Sequence, residues 1–169
     1  MNKIIVIGCS GSGKSTFSIS LQKKTNLPIF HLDNIWWKED RTHIQREEFD
    51  EKLNAICKKD KWIIDGNYSR TLEVRFSSCD TVIFLDYDTE LCLDGITKRV
   101  GKHRQDIPWV EEKLDPELVN FVKSFKEVER PKIYALMERY PEKTYIIFKD
   151  RIEATTWLEK KLPAHTKNK

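Results

Sequence analysis

The eight residues Gly8-Cys9-Ser10-Gly11-Ser12-Gly13-Lys14-Ser15 constrain this chain more than any other stretch. They match G-x-x-x-x-G-K-[ST] at every fixed position, directly after an apolar run and directly before a helical pattern. A match by chance in a chain this long is expected on the order of once in a hundred. The physics of the pattern is specific. Glycines let the backbone curl until successive N–H groups face one concavity. The helix that opens there adds its positive end, so the concavity suits an anion. The amides of Gly8, Ser10, Gly11, Ser12 and Gly13 are therefore expected to cradle a polyphosphate, with Lys14 reaching the β- and γ-phosphates. Ser15 offers a hydroxyl to Mg²⁺, and Thr16 follows near the α-phosphate. ATP and Mg²⁺ are the expected cofactors. Cys9 reads as a small filler within the loop, the alternative being a thiol activated by the helix N-terminus.

The rest of the chain alternates short apolar runs with helical patterns. Residues 3–7, 29–32, 62–65, 81–85 and 145–148 read as buried parallel strands, most of them closed by Gly or Asp. Helices are expected over about 14–24, 46–58, 70–76 and 89–99, then from Pro116 to about Tyr140 with a break at Pro131, and over 152–161. Thr89 is a candidate cap. The segment 34–45 reads as a loop or short helix. The pattern predicts an α/β, three-layer P-loop NTPase fold, nucleoside/nucleotide-kinase-like, with a five-stranded parallel sheet. A short helical lid over about 99–115 and a flexible tail over 163–169 are also expected.

With 169 residues, one domain is expected. Charged residues make up 34%, and the apolar runs, Ile4 to Ile7 among them, are far too short for a membrane span. A net charge of +3 is too small to mark a nucleic-acid binder by itself. Four cysteines contain no C-x-x-C pair, so neither a disulfide framework nor a zinc site is expected, and a reduced cytoplasm is the simplest setting. The four histidines show no zinc spacing, and His31 reads as packed at the end of the second strand.

Ligands of parallel sheets gather beyond the carboxyl ends of the strands. Asp33, Asp65 and Asp86 all close strands. Asp65 is the preferred magnesium-side carboxylate, directly or through water, because Gly66 leaves room beside it; Asp86 is its rival. Asp33 suits a hydroxyl acceptor, which gains from a carboxylate that takes its proton, whereas a phosphate acceptor calls for arginines. Trp36 and Trp37 follow closely: one is expected to wall an acceptor pocket, the other to cover the core.

The stretch Asp65-Gly66-Asn67-Tyr68-Ser69-Arg70 is expected to turn Asn67 and Arg70 toward the acceptor. Lys98, Arg99, Lys102 and Arg104 form a basic cluster where a closing lid would sit. Arg99 and Arg104 are the expected catalytic cations, stabilising charge on the transferring group as the lid excludes water. Arg151, after the fifth strand, is placed to contact a nucleotide base. Arg130 is a weaker candidate.

These residues also carry a family resemblance. The phosphate loop, His31-Leu32-Asp33-x-x-Trp36-Trp37, Trp62 to Arg70, and Val82 to Asp86 resemble the bacterial DNA topology modulation proteins, which are similar to adenylate and shikimate kinases. The resemblance covers roughly residues 3–160. Adenylate kinases carry an Asp-Gly-Phe-Pro-Arg stretch whose arginine contacts substrate phosphates, which implies that role for Arg70 and the magnesium side for Asp65. Shikimate kinases place an acceptor-binding Asp after the second strand, which implies that role for Asp33. The chain lacks the Phe-Pro pair, and its lid carries no zinc cysteines. The expected activity is transfer of the γ-phosphoryl of ATP, with Lys14, Asp33, Arg99 and Arg104 catalytic, to a small acceptor: a nucleoside, nucleotide or hydroxyl metabolite. A nucleic-acid-associated ATPase affecting DNA topology and a nucleotide-binding regulator are the alternatives. No DNA-reading motif is present. The protein is expected to be a monomer or homodimer.

Overall fold

In a computed structural model, residues 1–161 are described; the tail expected over 163–169 lies outside them. Strand β1, Lys3–Gly8, leads through the phosphate loop into α1, Lys14–Thr25. Strand β2, Ile29–His31, runs straight into the short helix α2, Leu32–Trp36. Helix α3 (Arg46–Cys57), β3 (Trp62–Asp65), one 3₁₀ turn (Ser69–Thr71) and α4 (Leu72–Ser78) follow. Then come β4 (Thr81–Leu85), α5 (Thr89–Lys98), α6 (Pro116–Val128), α7 (Arg130–Arg139), β5 (Thr144–Phe148) and α8 (Arg151–Lys161).

The five strands form one parallel sheet in the order β2-β3-β1-β4-β5. The central strand is the most apolar, because parallel strands are covered on both faces. Ile4, Ile5, Val6 and Ile7 are all fully buried. Helix α1 packs on β1, β2, β3 and α8, while α3 and α4 pair with each other and α4 meets β1. Helices α5, α6 and α7 pack in series. The architecture is the expected three-layer P-loop kinase fold. Its topology brings the carboxyl ends of β1, β2 and β3 side by side, with Val6 and His31 both in register with Asp65.

Three local expectations change. The second strand stops one residue early, because Leu32 turns into α2 and packs, fully buried, over Gly66. Asp33 therefore sits in the first turn of a helix and not at a strand end. The N-cap of α5 is Asp88, with Thr89 inside the helix. In place of a short helical lid, residues 99–115 form a folded loop with no helix of its own. Gly101 at φ 74° turns it and ion pairs fill it, leaving no amphipathic helical face. The break at Pro131 is real: α6 ends at Val128 and α7 opens with the proline in its first turn.

Candidate active site

The loop after β1 is built by close approach. Gly11 lies at φ 83°, and a Cβ there would come within 2.1 Å of the Cys92 carbonyl oxygen on α5. Gly95, one turn along α5, is equally tight: its Cβ would lie 2.0 Å from the Gly11 carbonyl oxygen. Backbone packs on backbone here, so α5 forms the back wall of the loop. Arg151 clamps the same junction, donating to the carbonyls of Gly11 (3.3 Å) and Leu91 (3.1 Å). Cys9 is buried against Cys92; that side chain first, and burial second, push its thiol pKa far up. It is filler, not a nucleophile.

Lys14 extends back along the loop, its Nζ donating to the carbonyls of Gly8 (2.9 Å) and Cys9 (3.0 Å). Burial pushes its pKa down, while Cys9, Asp33 and Asp65 oppose that shift. The ammonium faces a cavity of about 330 Å³ lined by Ser10, Ser15, Thr16, Asp33, Asp65 and Asp106, among others.

Each carboxylate around that cavity has its own partner. Asp65 is buried and accepts from His31 Nδ1, which lies 2.9 Å from both oxygens. Burial works against a charge on His31, but the hydrogen bond and charge of Asp65 outweigh it, so its pKa is raised. The histidine expected as packing thus holds a site carboxylate. Asp33 accepts from the Tyr68 hydroxyl at 2.7 Å. Burial raises its pKa, against the pull of Tyr68 and Lys14. Asp86 faces elsewhere: Arg130 holds it at 2.7 and 2.8 Å, with Lys149 and the Tyr134 hydroxyl beside it. Of the two rivals, Asp65 lines the phosphate cavity and Asp86 does not.

The segment 99–115 lies over the phosphate loop. Arg99 and Arg104 converge on Glu111, at 2.7 Å (Arg99 Nε) and 2.9 Å (Arg104 NH1). Arg104 also grips Asp106 through Nε at 2.9 Å and through its terminal NH2. Asp106, only 4% exposed, accepts the Ser15 hydroxyl at 2.6 Å. Asn34 on α2 donates to the Gln105 carbonyl at 2.7 Å, and Trp109 meets Trp37 edge-on at 5.4 Å.

Two further cavities flank the first. One of about 460 Å³ runs between the loop, the lid and α8, past Phe17, Tyr87, Lys102 and Arg151. The other, about 670 Å³, lies between α2 and the lid, walled by Trp37, Ile107, Trp109 and Leu118 with Ser10 and Asp33 at its floor. Arg99 and Arg104 line all three.

Several expected residues stand outside this constellation. Arg70 points away from the cleft into a two-pronged pair with Asp50 of α3, both contacts 2.7 Å, because the 3₁₀ turn carries it to the surface. The arginine turned inward is Arg75, fully buried, which donates to the carbonyls of Gly66 and Asn67. Asn67 accepts from the Gly8 amide at 3.4 Å and braces the phosphate loop. Trp36 stacks on His43 at 4.4 Å, meets Phe49 and lines a separate cavity of about 250 Å³ beside Tyr68 and Arg70, whereas Trp37 lines the cavity that Asp33 borders.

Sequence reasoning passed over His31, Tyr68, Gly95, Asp106 and Glu111 as site residues. Tyr68 stood inside a stretch already singled out, and Asp106 ended the basic cluster. Nothing in the local pattern marked Gly95.

The donor set suits a hard divalent cation held mainly by phosphate oxygens and water. Ser15 donates a hydrogen bond to Asp106 and keeps two lone pairs as acceptors, and Asp65 lines the same cavity. Among the described residues no cluster of His, Cys, Asp and Glu forms a metal cage by itself.

No protein-family model and no curated protein sequence matches the chain. Solved structures do share its fold. Shikimate kinase from Acinetobacter baumannii, in complex with shikimate, superposes with a TM-score of 0.62 at 15% identity, over 99% of this chain and 96% of that one. Shikimate kinase from Aquifex aeolicus gives 0.56 at 22% identity, over 94% and 92%. Deoxyadenosine kinase from M. mycoides with bound dATP gives 0.53 at 17%, over 92% and 95%.

Proposed function

We propose that this chain is a P-loop kinase that moves the γ-phosphoryl group of ATP to a hydroxyl of a small acceptor. One observation carries the reading: the partly buried carboxylate of Asp33 lines both the phosphate cavity, beside Lys14, and the tryptophan-walled cavity. A group so placed can take the proton of an acceptor hydroxyl on one side while the phosphoryl group waits on the other. The fold neighbours are kinases named for shikimate, a sugar and deoxyadenosine, which supports a small-molecule acceptor.

The nucleoside of ATP would occupy the groove past Arg151, and the polyphosphate would lie over the loop amides. Asp33 holds the acceptor hydroxyl in line and accepts its proton as the new O–P bond forms. The bond from the γ-phosphorus to its bridging oxygen breaks, and ADP departs. Lys14, Arg99 and Arg104 stabilise the negative charge on the equatorial oxygens. Ser15 and Asp65, the latter directly or through water, are the residues to hold Mg²⁺, which when bound neutralises charge on the β- and γ-phosphates. Residues 99–115 act as the lid of one working domain. The free, buried cysteines support a reduced, cytoplasmic setting. The finer family reading, a DNA topology modulation protein, rests on the stretch from Asp65 to Arg70.

The test is a panel of nucleosides, nucleotides and small hydroxyl metabolites incubated with ATP and Mg²⁺, read by phosphate transfer. Product with one acceptor, lost in Lys14→Ala and Asp33→Asn, supports the reading. ADP release that requires DNA and ignores every acceptor would sink it, and tight ATP binding with no product would point to a regulator.

A further inference from the structure

We propose that Asp106 is the positioning residue that couples lid closure to the metal side of the phosphate site, acting through the Ser15 hydroxyl. The inference rests on the kinase reading above and extends it to a residue outside its catalytic set.

The geometry is specific. Asp106 is a lid residue, 91 positions along the chain from Ser15, yet it takes the Ser15 proton at 2.6 Å. A hydroxyl has one proton and two lone pairs. When a carboxylate fixes the proton, the direction of the lone pairs is fixed as well, and Ser15 lines the same cavity as Lys14 and Asp65. Residues behind a metal ligand orient it and raise its basicity in this way. An ionised acceptor makes a stronger bond than a neutral one, so the aim is held firmly.

The same carboxylate holds Arg104. Its two oxygens meet Nε and the terminal NH2 of that side chain, while Arg104 NH1 reaches Glu111, which also takes Arg99. Asp106 therefore ties the loop serine to Arg104, and Glu111 links Arg104 in turn to Arg99. A lid that has not closed leaves Ser15 without a fixed hydroxyl direction and Arg104 without its seat. Asp106 is only 4% exposed, so an ion buried there without a geometric purpose would be a poor use of the position.

The probe is Mn²⁺ with the non-hydrolysable analogue β,γ-imido-ATP on the full chain, followed by electron paramagnetic resonance, with nucleotide affinity in EDTA measured alongside. Asp106→Ala is expected to weaken Mn²⁺ in the ternary complex by about ten- to a hundredfold, and to change metal-free nucleotide affinity far less. Asp106→Asn keeps the shape but not the charge, and is expected to fall between; it carries the test if the alanine variant melts. In a Ser15→Ala background, Asp106→Ala should add less than about twofold, because the two act as one unit. Mn²⁺ affinity unchanged in both Asp106 variants overturns the inference and leaves the kinase reading standing. So does equal weakening with and without metal, or full additivity with Ser15→Ala. Failure of the native chain to bind the analogue removes the kinase reading and this inference together.

Discussion

To accept a proton as proposed, Asp33 has to ionise in a place that resists ionisation. Burial raises its carboxyl pKa above the ordinary value of 3.8, with Asp106 and Asp65 adding to the rise and Tyr68 and Lys14 opposing it. The sign follows directly. Between 3.8 and the raised value the folded chain holds a proton that the unfolded chain has released, so this group makes stability fall as pH climbs through that window. As a proton acceptor it works only above its folded pKa. The acid limb of a kcat/KM profile should therefore lie above that of an exposed carboxylate. Tyr68→Phe, which deletes a donor to the ionised form, should move the limb further up. Asp33→Asn should lower kcat by about 10²–10⁴-fold with ATP-analogue binding retained. The placement of Lys14 was legible from loop spacing alone, and that of Asp33 from following the second strand, although it lies in the first turn of α2 and not at the strand's end. Arg70 was not: its partner Asp50 belongs to α3, and nothing local to the Asp65–Arg70 stretch shows which way the turn will throw it. The pairing of His31 with Asp65 depends likewise on two strands lying side by side.

At the level of elements, the loop owes its shape to α5 as much as to its own glycines. Gly95→Ala pushes a methyl onto the Gly11 carbonyl, where backbone meets backbone and has little room to yield. Overpacking of this kind costs about 1–3 kcal/mol, to be read as a lower urea midpoint, and nucleotide affinity should fall with it. Arg75 does similar work under the β3–α4 connection, where its guanidinium serves the carbonyls of Gly66, Asn67 and Tyr68. Arg75→Lys removes the planar fork, and each carbonyl left without a donor costs about 1–3 kcal/mol, so chemical denaturation should show a marked loss. The strands were legible because each is a short apolar run stopped by a small or charged residue. Helix α2 was legible only as one of two readings of the segment from 34, loop or short helix, because five residues are too few to show a period. The lid was mistaken for helix because charges that pair across a loop look, in sequence, like the polar face of one.

Across the whole molecule, the segment proposed as a lid meets the residue after α2 through Trp109 and Trp37. Tryptophan emission should therefore change when the lid is released. Asp106→Ala should shift the spectrum of the native chain, and Trp109→Phe should remove most of that shift. All four cysteines are free and buried, which makes their thiols a gauge of global opening. Under native conditions a thiol reagent should react slowly with all of them, at rates that follow urea-measured stability. A parallel sheet of five strands was readable at this scale from strand–helix alternation, but its order, β2-β3-β1-β4-β5, was not. The division of the cleft into chambers was not, because it arises where segments far apart in sequence meet.

The two guanidinium groups of Arg99 and Arg104 border every chamber of that cleft. Under the proposed function, donor and recipient would occupy adjoining chambers along one track that shares these two side chains. A bisubstrate compound, with adenosine joined to the recipient through a chain of phosphates of the right reach, would occupy the whole track at once. It should bind far more tightly than either half, and the tether length that binds best would be a ruler for the distance the phosphoryl group travels.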